Sequence, residues 1–247
     1  MAAVPRIHVP TKLSRGLQLA LPPGAARHVQ VLRLQPGAPI TLFGNVGDSG
    51  EYAATVISMG RSEVQVRVLG HSPVERETRR AVHLALGVPA NERMDWLVEK
   101  ATELGAASVQ PLVTERTVVR LDAERAQKRV AHWRSIAIAA CEQCGRNQVP
   151  EIHAPETLVS WLGMRTPPIE GHTRLVLSLL AQAVDLRELV HGGGLAAAHW
   201  TVLIGPEGGL AGAEEARALA SGFVPVSLGA RVLRAETAAL AALTLLG

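Results

Sequence analysis

From residue 81 onward the chain alternates between short apolar runs, glycine-bearing loops and helix-periodic stretches, which restricts it to a small set of folds. Residues 83–88 (HLALGV) read as a buried strand. Residues 94–104 read as a helix, with Met94, Leu97, Val98, Ala101 and Leu104 on one face and Asp95, Glu99, Lys100 and Glu103 off it. Gly105 ends that helix. Residues 109–113 read as a strand and 123–144 as a long helix stopped by Gly145. Three strand–loop–helix units follow: 174–180 with 184–191, 200–205 with 213–220, and 223–228 with 235–246. Alternating strands and helices imply an α/β domain with a mainly parallel sheet covered on both faces. Ligands on such sheets sit beyond the C-terminal strand ends.

Residues 1–72 have a different grain. Strands are expected at 29–34 (VQVLRL), 40–43, 51–59 and 64–69, with turns at 35–37 (QPG) and 44–48 (GNVGD). Only 64–69 alternates cleanly between apolar and polar. Many short strands with Gly/Pro turns read as a small β-barrel. The charged stretch 73–80 (PVERETRR) marks the boundary, so two domains are expected, 1–72 and 73–247. A length of 247 residues accommodates both. The 47% apolar and 19% charged composition excludes a disordered chain.

Charge is also unevenly divided, at a later point in the chain. Residues 1–149 carry 19 basic and 13 acidic side chains, net +6, whereas 150–247 carry 6 and 9, net −3. A basic front suggests an anionic partner there. Arg supplies 22 of the 25 basic residues. That suits bidentate phosphate contacts, though an Ala-rich composition bias explains the ratio equally well. With two Phe, one Tyr and four Trp, a base-stacking platform is not expected. No apolar stretch reaches the roughly 18 residues of a spanning helix, and the N-terminal residues show no secretory pattern. A cytoplasmic protein without a membrane partner is the expectation. Cys141 and Cys144 are the only cysteines, which excludes a disulfide framework.

Two loops stand where the sheet would place a ligand, 204–210 (IGPEGGL) and 228–237 (LGARVLRAET). The first matches neither the dinucleotide G-x-G-x-x-G spacing nor the P-loop. Glu207 would set a carboxylate against a pyrophosphate, an unfavourable like-charge contact. A nicotinamide-dependent dehydrogenase is therefore excluded. The loop reads as a seat for a nucleoside-like ligand without phosphates, even one with positive charge, or else as tight turns with no ligand.

The run IGPEGGLAGAEEARALASGFVPVSLGARVLRAETAALAAL (204–243) resembles the signature of the RsmE family, the 16S ribosomal RNA uracil-N3 methyltransferases of the SPOUT superfamily. The likeness extends to MDWLVEKATELGAASVQPLVTERTV (94–118) and CEQCGRNQVPEI (141–152), and more weakly to RHVQVLRLQPG (27–37). It implies a PUA-like N-terminal RNA-binding barrel, a C-terminal α/β domain with a trefoil knot, S-adenosylmethionine as cofactor, and a homodimer acting on 16S rRNA or the small ribosomal subunit. By analogy the cofactor contacts Leu177, Ile204, Gly205, Pro206, Glu207, Gly208, Gly209, Leu228, Gly229, Val232, Leu233 and Thr237. Base methylation at N3 and ribose 2′-O methylation read alike in spacing; the resemblance selects the former.

The chemistry is compatible, because a sulfonium cofactor has no phosphates for Glu207 to repel. Methyl transfer is an in-line displacement that depends on positioning. Uracil N3 becomes a good nucleophile only on losing its proton, and a cation near the ring carbonyls stabilises the anion. Arg234 is the candidate for that role, and Glu236 for proton handling or for orienting Arg234. Helix-start electrostatics explains the same acid equally simply. Cys141-x-x-Cys144 has no second pair and lies in a helix pattern, so a structural reading is preferred to metal and no metal site is expected. Candidate RNA contacts are Arg6, Arg27, His28 and Arg33 on the expected barrel, and Lys100, Arg116 and Arg146 on the expected α/β domain. Each could equally be a solvated surface charge, and Lys100 could simply pair with Glu99 or Glu103. A non-catalytic RNA-binding assembly factor is the rival reading, opposed by the intact loops.

Overall fold

The computed structural model describes residues 4–44, 49–61, 63–89, 92–117, 123–164, 170–191 and 197–247. Most of the turn expected at 44–48, and the last residue of the 94–118 stretch, lie outside the described residues. The chain divides into two compact units. One runs up to Glu77 and includes Ile138–Val149; the other comprises Thr78–Ala137 and Pro150–Gly247.

The first unit contains β1 (Arg6–His8), β2 (Gln18–Ala20), α1 (Pro23–Val31), β3 (Pro39–Phe43), β4 (Glu51–Met59) and β5 (Val64–Ser72). Its sheet runs β1-β3-β4-β5-β2, with β1 parallel to β3 and the other pairs antiparallel. Tyr52, Ala54 and Val56 of β4 and Val64, Val66 and Val68 of β5 alternate inward and join Ile7, Ile40 and Leu42 in one core. The period of two places every second side chain on that face.

One expectation fails here. Residues 29–34 are not a strand: α1 occupies Pro23–Val31. Pro23 opens the helix with its φ already suitable and no N–H to lose. Ala26 and Val29, three residues apart, form the buried face. A Schellman motif closes it, with Arg33 N–H donating to the Gln30 carbonyl (2.9 Å) and Leu34 N–H to that of Val29 (3.3 Å). Arg33 takes the left-handed position at φ +53°, where Gly is usual.

The second unit contains β6 (Ala81–Gly87), α2 (Glu92–Glu103), β7 (Ala106–Val113), the first part of α3 (Ala123–Cys144), β8 (Glu151–Ile152), β9 (Glu156–Thr157), α4 (Leu158–Gly163), β10 (His172–Leu177), β11 (Val184–Asp185), α5 (Leu186–His191), β12 (His199–Ile204), α6 (Gly212–Ala220), β13 (Val224–Ser227) and α7 (Ala235–Leu246). All of its strand pairs are parallel, in the order β11-β13-β10-β12-β6-β7-β8, with β9 also on β7. The parallel α/β reading is thus correct, and the central strands are buried apolar runs: Val202, Leu203 and Ile204 of β12 and Leu84, Ala85 and Leu86 of β6 are at most 3% exposed. Sequence reading missed α4. Its Leu158, Trp161 and Leu162 are buried at i, i+3 and i+4, and the Thr157 hydroxyl caps it by accepting from Ser160 N–H (3.1 Å).

Candidate active site

Strands β13, β10 and β12 are parallel neighbours, so the loops leaving their C-terminal ends emerge side by side. They enclose a cleft of about 840 Å³, mouth included. Its walls are residues 177–179 after β10, 204–210 after β12 and 226–229 with 231–233 after β13, completed by Ala235 and Ala238 of α7. Leu177, Ile204, Gly205, Pro206, Glu207, Gly208, Gly209, Leu228, Gly229, Val232 and Leu233 all line it. Thr237 does not. Ala235 and Ala238 share the helix face toward the cleft, and Thr237 is turned off it and exposed.

Close backbone approach explains the glycines. The Gly209 N–H donates to the Pro206 carbonyl (2.8 Å), closing a turn, with Gly209 at φ +71°. A Cβ on Gly205 would stand 2.7 Å from the backbone of Gly209 and Leu210. A Cβ on Gly87, at the end of β6, would stand 2.5 Å from Pro206 Cδ. Sequence reading overlooked Gly87; the signal was a glycine inside an otherwise apolar strand run, which marks just such an approach. It also overlooked Ser178, Leu179, Leu210, Val226, Ser227 and Arg231 as cleft residues.

The Gly loop is held from outside as well. Arg93 Nη1 pairs with Glu207 Oε1 (3.1 Å), and Arg116 Nη1 donates to the Gly208 carbonyl (2.6 Å). Glu214 accepts from the N–H groups of Ala211 (2.9 Å) and Glu115 (2.8 Å). The walls are therefore leucine, isoleucine, valine, alanine and peptide backbone, with the hydroxyls of Ser178 and Ser227, the Arg231 guanidinium and the Glu207 carboxylate among them.

Arg234 is exposed at the N-cap of α7, between the cleft residues Leu233 and Ala235. Glu236, in the first turn, is 8% exposed, and its Oε2 has no hydrogen-bond partner among the described residues. A buried carboxylate oxygen without a donor is costly to the fold.

The RNA candidates part company. Arg6 bonds to Glu51, donates to the Arg146 carbonyl (3.0 Å) and Asn147 Oδ1 (2.7 Å), and lies 4.7 Å over the Phe43 ring. Arg146, 5% exposed, donates to Glu77 through Nε (2.9 Å) and Nη2 (2.7 Å). Glu142 accepts from His8 N–H (3.0 Å) and pairs with His28 Nδ1 (2.9 Å). The stretch 141–147 therefore works inside the first unit, tying the end of α3 to β1 and α1. Lys100 bonds Glu103 (2.8 Å) and Glu99 (2.7 Å), which hold its ammonium up at about 12. Arg27, Arg33 and Arg116 are exposed.

Cys141 is fully buried on α3, its Sγ 3.5 Å from the Gln148 carbonyl, and burial pushes the thiol up to about 12. The thiolate is the nucleophile, so Cys141 is expected to stay unlabelled by iodoacetamide at pH 8 in the folded protein, while partly exposed Cys144 reacts. Peptide mass spectrometry reads both; rapid alkylation of Cys141 would contradict its burial.

Comparison with known proteins agrees with this site. The RNA methyltransferase domain family matches residues 76–247. A methyltransferase of Legionella pneumophila, solved in complex with S-adenosylmethionine, is 37% identical with a TM-score of 0.90, covering 99% of this chain and 97% of that one. The ribosomal RNA small subunit methyltransferase E of Neisseria gonorrhoeae, bound to S-adenosylmethionine, is 35% identical with a TM-score of 0.87, covering 98% and 96%. The protein of the same name from Buchnera aphidicola is 30% identical over 98% of this chain and 95% of its own length. With its parallel sheet, its three-loop cleft and likeness along nearly its whole length, the chain belongs to the RNA methyltransferase family of ribosomal RNA small subunit methyltransferase E.

Proposed function

We propose that the protein is an S-adenosylmethionine-dependent methyltransferase acting on N3 of a uridine in 16S ribosomal RNA. The observation that carries this reading is the cleft at the ends of β10, β12 and β13, where a glycine loop, with Gly205 too close to neighbouring backbone for any Cβ, meets a carboxylate and no lysine. Leu177, Ile204, Leu228 and Leu233 would hold the adenosine beside the 205–209 backbone, and Glu207, already paired with Arg93, would tolerate a cationic cofactor better than a pyrophosphate. When bound, the cofactor supplies an electrophilic methyl for in-line displacement, so the chain contributes mainly orientation. Arg234 stabilises the uracil anion, and Glu236 Oε2 is the proton acceptor or the group that orients Arg234.

The finer architecture is part of the proposal. The five-stranded sheet of the first unit serves as a PUA-like RNA-binding barrel, and three neighbouring loops sharing one cleft support the trefoil knot. Leu179 and Val232, 78% and 77% exposed on those loops, support a homodimer. No described helix is long and apolar enough to cross a membrane, and a cytoplasmic site of action follows from a ribosomal substrate.

Calorimetry should show S-adenosylmethionine binding and no binding of NAD or ATP. Mass-spectrometric mapping of 16S rRNA from a deletion strain should show loss of one N3-methyluridine, restored by this chain. Binding of RNA without cofactor would favour the assembly-factor reading and overturn this one.

Arg33 gives a sharper test of the front unit. An arginine in the left-handed region costs about 1–2 kcal/mol that glycine avoids. Arg33→Gly is therefore expected to stabilise the fold by ~1 kcal/mol while weakening RNA binding and its salt dependence. Neutralising Arg27 together with Arg33 deepens the RNA loss and leaves cofactor affinity alone. Unchanged RNA affinity in the double variant at several salt concentrations refutes the assignment.

A further inference from the structure

Arg116 combines an exposed position with a direct contact to the glycine loop of the cleft. It is exposed on the turn that follows β7, and that turn is braced by Thr114 N–H donating to Thr117 Oγ1 (2.9 Å) and Thr117 N–H to the Thr114 carbonyl (3.1 Å). Its Nη1 donates to the Gly208 carbonyl at 2.6 Å. Its stem fills the space beside that residue, since a Cβ on Gly208 would lie 3.3 Å from Arg116 Cδ. The same turn reaches the far side of the loop through Glu115 N–H, bonded to Glu214, which also holds Ala211 N–H. Both flanks of the cofactor loop therefore register on one short segment. Arg93, the other arginine on the outside of this loop, has its charge met by Glu207.

We infer that Arg116 is a positioning residue that couples RNA binding to cofactor binding, its guanidinium bridging the Gly208 carbonyl and a phosphodiester of the substrate RNA. The inference rests on the methyltransferase reading above. A guanidinium presents five N–H donors in a planar fork, and the carbonyl accepts one of them. The remaining edge suits a phosphate, which arginine engages bidentately. A phosphate there immobilises the side chain, and with it the loop that forms the cofactor wall. Cofactor binding then has less disorder to remove, which is positive coupling without a change of shape. Linkage requires the effect to be mutual.

The test is calorimetric titration of the full chain with S-adenosylhomocysteine, with and without 16S rRNA from a strain lacking the enzyme. Wild-type affinity should rise about fivefold or more when RNA is saturating. Arg116→Met keeps the stem beside Gly208 and removes the fork. It should bind S-adenosylhomocysteine with the same affinity whether or not RNA is present, and its RNA salt slope should fall by about 0.7–0.9, one phosphate contact. Arg116→Lys should keep the slope and recover only part of the coupling, because an ammonium lacks the planar fork. Full coupling in Arg116→Met, full coupling in Arg116→Lys, or none in the wild type each overturns the inference. Failure of the wild type to bind S-adenosylhomocysteine at all, with or without RNA, instead overturns the methyltransferase reading.

Discussion

Arg234→Ala is expected to lower kcat by roughly 10²–10³, about 2.7–4 kcal/mol of transition-state stabilisation, with little change in either KM. Arg234 is exposed beside the cleft and makes no side-chain cap bond to α7, so the helix does not depend on it. An interaction that strengthens only as the uracil becomes anionic acts on kcat rather than on ground-state binding. Raising the assay pH should partly rescue the variant, since more uracil N3 is then ionised before transfer. Arg234→Lys should recover only part, because a point charge does not reproduce a two-donor contact. Single-turnover rates across pH, with RNA and cofactor saturating, give the answer. A wild-type rate in Arg234→Ala removes the residue from the mechanism, and a lowered melting temperature with weakened cofactor binding assigns it to helix electrostatics instead.

Gly205→Ala is expected to reduce kcat/KM by about 100-fold through loss of cofactor placement. The added Cβ would stand 2.7 Å from the Gly209 and Leu210 backbone, where no flexible side chain can yield. Main chain must shift, and an ångström of misplacement at a positioning site costs about that factor. Gly87→Ala should act the same way from the neighbouring strand, pushing on Pro206. Gly212→Ala is the control: a Cβ there meets nothing within 4 Å, and Gly212 lies outside the cleft at the start of α6. Its activity should be unchanged and its stability equal or higher by about 0.4–1 kcal/mol. Normal cofactor affinity in Gly205→Ala would show that the loop does not shape the site.

Much of this protein is written locally. The 3.6-residue spacing of Met94, Leu97, Val98 and Ala101, the apolar runs of β6 and β12 and the glycines of 204–209 depend on near neighbours in sequence, so they made the parallel α/β unit and the edge that carries its cleft legible. Where local signals compete, sequence alone went astray. Residues 29–34 are rich in apolar side chains and read as a strand, yet Pro23 and the burial of Ala26 and Val29 make 23–31 a helix, closed by the left-handed Arg33. Long-range pairing decided the rest. Arg6 and Arg146 read as surface cations until Glu51, Asn147 and Glu77, 45 to 141 residues away, claim them. The approach of Gly87 to Pro206 and of Arg116 to Gly208 arose only when β6 came to lie between β7 and the strand that ends at Ile204, because a Cβ clash or a carbonyl hydrogen bond is a property of distance in space. Periodicity encodes which face of an element is buried; it carries no record of what lies opposite.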